Sequence, residues 1–204
     1  VWAAAAFTGV FFLLNSRVLA VDYHWTGLAN NGQWSSAANW DLGLPVGPGN
    51  TVTLDAANGW SVMTITNTDN VLVPDMVYGP EWGATLNVFG QMRSGGFVVP
   101  VQTSVTPRSV INVFSNATIS ASGMLLGDSW WYHGAPYVTL NLYANAQANV
   151  NEFYWGGQLY LNDDSVFVVT NSVTVQALGS VSDATRSINL AGGTLVLPGG
   201  YTAQ

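Results

Sequence analysis

Leu86-Asn87-Val88-Phe89-Gly90-Gln91, Ile111-Asn112-Val113-Phe114-Ser115-Asn116, Leu140-Asn141-Leu142-Tyr143-Ala144-Asn145, Leu159-Tyr160-Leu161-Asn162-Asp163-Asp164 and Ile188-Asn189-Leu190-Ala191-Gly192-Gly193 align without a gap, their starts 25, 29, 19 and 29 residues apart. Each segment opens apolar, polar, apolar, the period of two that marks a strand with one buried face. Each closes on Asn, Asp or Gly, Gln91 excepted. Those three residue types accept the left-handed backbone or form Asx turns, so the chain should bend there. A second short strand follows the bend in Thr118-Ile119-Ser120, Ala148-Asn149-Val150, Val166-Phe167-Val168 and Thr194-Leu195-Val196-Leu197. Strand, turn, strand and a longer return is a coil, and coils in one direction stack through parallel strands, whereas antiparallel hairpins need only two to five linking residues. The expected fold is all-β, a right-handed parallel β-helix.

In such a stack the same position of successive coils recurs about every 4.8 Å. Leu86, Ile111, Leu140, Leu159 and Ile188 are then one buried column, and Asn87, Asn112, Asn141 and Asn189 a polar ladder beside it. Amides bond to the copies above and below them, where carboxylates or ammonium groups would repel. This accounts for a chain that is only 7% charged but 49% hydrophobic, with 18 Asn and 22 Gly. Tyr160 interrupts the ladder, which makes the fourth coil the least regular. No stretch after Ala20 sustains a 3.6-residue apolar period, so almost no helix is expected. Low charge with high hydrophobicity is the reverse of a disordered segment. All four cations are arginine, and a formal net charge of −7 leaves no basic stripe for phosphates or anionic lipid, which excludes nucleic acid as a partner class.

Three segments are expected. Residues 1–20 read as a signal peptide: the uncharged run Val1–Leu14 is too short for the roughly twenty residues of a membrane span, and Val18 and Ala20 suit cleavage after Ala20. The basic n-region is missing and the first residue is Val, so a fragment clipped at its start is expected, as at the abrupt end Gly199–Gln204. Residues 21–50 form an N-terminal cap segment, residues 51–204 the repeats. The absence of cysteine removes disulfides, thiolate zinc sites and cysteine nucleophiles, so the core alone must hold the fold.

The cap segment carries Trp25, Trp34 and Trp40, three indoles in sixteen residues. A solenoid must cover its first coil, since an open strand edge recruits other strands. A lid is one use for these indoles; an aromatic sugar-binding platform is the other. The pattern Trp25-x-Gly27, Trp34, Asn39-Trp40, Pro45 and Gly49-Asn50-x-Val52, ahead of Asn- and Gly-rich β-repeats, resembles the exported bacterial β-repeat proteins related to autotransporter-associated repeats, which often carry PEP-CTERM sorting tails. The resemblance implies a pectin-lyase-like β-helix at a cell surface. Its motifs are structural and include no catalytic signature.

Catalytic groups are sparse. Glycoside hydrolysis needs paired carboxylates. Asp163 and Asp164 are adjacent but occupy a turn position, and Glu81 and Glu152 lie in different coils. Polysaccharide lyases of this architecture join an acidic calcium site to a basic residue, a role open here to Arg93, Arg108 or Arg186. Arg108, after Pro107, is the first choice among them. His24 and His133 are 109 residues apart, which is no metal-ligand spacing, and no metal or cofactor is implied. Gly156-Gly157 and Gly192-Gly193 read as turn glycines, and the sequon Asn116-Ala117-Thr118 as part of a repeat turn.

The strongest binding candidate is the stretch Asp128-Ser129-Trp130-Trp131-Tyr132-His133-Gly134-Ala135-Pro136-Tyr137, which lies in the excess of a 29-residue coil over a 19-residue one. Insertions of this kind map to surface loops. Trp130, Trp131, Tyr132 and Tyr137 could stack on sugar faces while Asp128 bonds to ring hydroxyls. Alternatively they fold back over the solenoid flank. Tyr154-Trp155 presents the same choice. The reading is a secreted or cell-surface structural or adhesive module without catalysis, whose partners are extracellular polysaccharide or other surface proteins. A polysaccharide-binding module, or a lyase or hydrolase on the same scaffold, is the alternative.

Overall fold

The structure, a computed structural model, describes residues 21–45, 50–54, 61–78, 84–99, 109–126, 138–155, 157–175, 187–199 and 202–203. Fifteen strands follow in chain order: β1 Asp22–His24, β2 Thr51–Leu54, β3 Ser61–Ile65, β4 Asn70–Tyr78, β5 Ala84–Val88, β6 Gln91–Val99, β7 Ser109–Val113, β8 Thr118–Leu126, β9 Val138–Leu142, β10 Gln147–Trp155, β11 Gln158–Asn162, β12 Val166–Val175, β13 Ser187–Ala191, β14 Thr194–Val196 and β15 Thr202–Ala203. The odd strands from β3 to β13 join one six-stranded sheet in the order β13-β11-β9-β7-β5-β3. The even strands, with β1 at one edge and β15 at the other, join a nine-stranded sheet, β1-β2-β4-β6-β8-β10-β12-β14-β15. Among the described residues all strand pairings between coils are parallel, and of the strands only β15 runs antiparallel, on β14. The protein is a parallel β-solenoid, and one 3-10 turn, Ala37–Asn39, is the only helical segment among the described residues.

The expected columns are present. Leu86, Ile111, Leu140, Leu159 and Ile188 pair in direct register, continued below by Met63. All are fully buried but Ile188, which sits on the terminal strand and is 36% exposed. A second inner column of Ile65, Val88, Val113, Leu142 and Leu161 lies two residues along. The turns also match: Asn116, Asn145, Asp163 and Asp164 have left-handed φ of 63°, 59°, 39° and 59°. Between β5 and β6 the turn is Phe89-Gly90 alone. A Cβ on Gly90 would overlap the carbonyl oxygens of Thr66 and Asp69, so this compressed turn requires glycine.

The even strands are longer than the sequence pattern suggests. In β8 the buried residues are Ile119 and Ala121, then Met124 and Leu126, so the inward phase slips by one at Ser122. The pairing steps over Pro74, Gly95, Ser122 and Asn151 in successive strands. Opposite Asn151, β12 places two residues, Thr170 and Asn171, which is a β-bulge. The nine-stranded sheet therefore turns a corner along this line, and its two panels close the core against the six-stranded sheet. The fourth-coil irregularity expected at Tyr160 is confined to the side-chain ladder, since Tyr160 pairs in register with Asn141 and Asn189; the backbone irregularity lies at the bulge.

The Trp segment is a lid. Trp34 N–H donates to Thr64 O at 2.9 Å and Thr64 N–H to Gly32 O at 2.7 Å, which covers the first edge of the six-stranded sheet, while β1 covers β2. Trp25, Trp34 and Trp40 are only 2%, 5% and 4% exposed and pack edge to face, with centroids 5.0 and 4.7 Å apart. Trp40 Nε1 donates to Trp34 O at 3.0 Å. The buried Asn39 holds three loop segments: its Oδ1 accepts from Ala29 N, and its Nδ2 donates to Asn31 Oδ1 and Gln33 O. Indoles buried in this way offer no platform to a sugar.

Candidate functional site

Of the expected ligand contacts, Asp128, Trp130, Trp131, Tyr132 and Tyr137 lie outside the described residues, as do the 1–20 segment, Glu81, Arg108, His133 and Arg186. The strand residues nearest the aromatic stretch are Leu126, which ends β8, and Val138, which begins β9, both inward and buried. Tyr154 and Trp155 pair with Leu125 and Leu126, so the end of β10 stands beside the residue from which that stretch departs. The two aromatics face opposite ways. Trp155 packs against the core cluster, and its Nε1 donates to Gly157 O at 2.8 Å. Tyr154 points outward, and its hydroxyl donates to Glu152 Oε2 at 3.4 Å. They do not share one strip.

The carboxylates are spread over the molecule. Asp163 and Asp164 are exposed and do turn work: their N–H groups donate to Ala191 O and Gly192 O at 3.0 Å each. Glu152 accepts from Asn171 Nδ2 at 3.4 Å on the outer side of the nine-stranded sheet. Asp69 Oδ2 accepts from Thr66 N at 2.7 Å and Thr66 Oγ1 at 2.9 Å, closing the first coil's turn. Arg93 stands exposed on β6, and His24 Nε2 lies 3.4 Å from Asp22 Oδ2 at the cap surface. Among the described residues no three His, Asp or Glu gather as a metal would require. A cleft of about 330 Å³ lies between lid and first coil, lined by residues that include Trp34, Leu44, Pro45, Asp69 and Leu72.

A second surface, unremarked in the sequence, is built on the outer side of the six-stranded sheet. The ladder is real: Asn112 Nδ2 donates to Asn87 Oδ1 and Asn141 Nδ2 to Asn112 Oδ1, both at 2.9 Å. Two residues along, Phe89 stacks on Phe114 at 4.2 Å and 2°, and Phe114 on Tyr143 at 5.1 Å and 8°. Phe89 and Tyr143 remain 42% and 37% exposed. Rings stacked in this manner cover one another's faces and turn their edges to solvent. The signal for this column was the fourth position of the aligned repeats, which reads Phe, Phe, Tyr before changing to Asn162 and Ala191. No residue of the six strands is charged. No family model, curated protein or solved structure matches the chain.

Proposed function

We propose that the protein is a secreted or cell-surface structural and adhesive module that works without a catalytic centre. The observation that carries this reading is the lidded, in-register stack. Its side-chain chemistry is spent on ladders, turns and a cap, and the adjacent acids Asp163 and Asp164 hold a left-handed turn. The resemblance of the Trp25 to Val52 pattern to exported bacterial β-repeat proteins supports the location, as does the apolar run Val1–Leu14. Among the described residues no helix is long and apolar enough to cross a membrane. The test has two arms. Cells producing the chain should present it to an added protease that cannot enter them. The purified protein, incubated with acidic and neutral polysaccharides, should release no reducing or unsaturated ends. Release that Arg108→Ala abolishes would overturn the non-catalytic reading, and protection from protease in intact but not lysed cells would overturn the location.

A further inference from the structure

We infer that the outer face of the six-stranded sheet is a binding surface for an extended, uncharged polysaccharide, separate from the aromatic stretch 128–137. The pairings of this face run without a register shift from β3 to β13, so its outward positions stay aligned from coil to coil, whereas the nine-stranded sheet carries a bulge between β10 and β12. It presents one row of neutral hydrogen-bonding groups, Asn87, Asn112, Asn141 and Tyr160, and beside it a row in which Val110 separates Thr85 from Thr139, the whole bordered by the aromatic column. Inside the ladder Asn112 uses one N–H and one lone pair, Asn87 one lone pair and Asn141 one N–H, so each amide keeps at least one further N–H and one further lone pair for a ligand. A row that both donates and accepts suits hydroxyl groups, which do the same.

Charge and area choose the occupant. The chain has eleven carboxylates and four arginines, yet none lies on these six strands, so the face has nothing with which to attract an ionic partner. Six strands about 4.8 Å apart and five residues long, at about 3.3 Å each, span only roughly 400 Å². A stable protein complex buries about 800 Å² per partner, so a second copy or a protein ligand is underfed by this surface. A repeating polymer that lies along the solenoid axis needs no such area, because successive units meet successive coils. This gives the adhesive reading a surface and a ligand class, and rests on that reading.

The experiment is retention of the purified chain on microcrystalline cellulose, crystalline chitin and insoluble starch, with the supernatant assayed for sugar ends. Retention on at least one of them, unchanged between low and high sodium chloride, is expected. Thr85→Lys/Thr139→Lys should weaken it about tenfold or more, since buried ammonium groups and unmade hydrogen bonds replace matched ones. Trp130→Ala/Trp131→Ala should leave it intact. Both variants are compared at equal melting temperature, and Gln158→Lys serves if the first pair fails to fold. Three results overturn the inference: no retention on any of the three solids, loss with the Trp pair but not the Lys pair, or a dimer in sedimentation that the Lys pair dissociates. Release of sugar ends alongside unchanged retention would instead sink only the non-catalytic reading.

Discussion

Asn112 occupies the centre of the amide ladder, donating to Asn87 and accepting from Asn141. An Asp at this place could still accept from Asn141, but when ionised it has nothing to donate and would face Asn87 Oδ1 across a hydrogen-bond distance. Asn112→Asp should therefore cost about 1 to 3 kcal/mol at neutral pH, toward the low end because the site is half-buried. Protonation restores a donor, so the folded state raises the carboxyl above its unfolded value of about 3.9. The loss is then absent below about pH 4 and grows as pH rises through the folded value. Urea unfolding of both proteins at pH 7 and near pH 3.5 checks this. A pH-independent gap between them would mean that the amides do not bond as a ladder.

At the scale of the element, the inner columns separate interior from end positions. Leu140 is fully buried between Ile111 and Leu159, whereas Ile188 has a neighbour on one side only. Leu140→Ala should cost about 2 to 5 kcal/mol, and Ile188→Ala distinctly less, in denaturant unfolding. Equal losses would mean that the stack does not end where β13 lies. These strands were legible because each has one wet and one dry face, so the period of two survives in Leu86-Asn87-Val88 and its copies. The doubled length of β4, β6, β8 and β10 was not legible, because the corner slips the inward phase by one at Ser122 and its equivalents and breaks the alternation. The lid was readable as a cluster of Trp, but its hydrogen bonds to Thr64 are backbone bonds that leave no mark on side-chain type. Of the candidate site, the sequence pointed to residues 128–137. The outer face of the six-stranded sheet was missed because uncharged Asn and Thr positions read as scaffold until their register is known.

At the scale of the whole molecule, stability comes from stacked neutral groups, and charge enters mainly as a small excess of one sign. Among the described residues the one contact that could be an ion pair is His24–Asp22, which is one only when the imidazole is protonated; both side chains are about half exposed, and such pairs contribute little. The formal net charge of −7 sets carboxylates against one another over the surface, an unfavourable term that added ions screen within about 10 Å at 0.1 M. Raising sodium chloride from about 0.05 to 0.5 M should thus leave the melting temperature unchanged or lift it slightly. For a chain of this size a change of less than about 1 kcal/mol corresponds to no more than about 2 to 4 °C. Chloride is the right salt for the measurement, because sulfate would also strengthen apolar burial and raise the melting temperature for another reason. A fall of several degrees would require favourable ion pairs beyond the single contact found among the described residues.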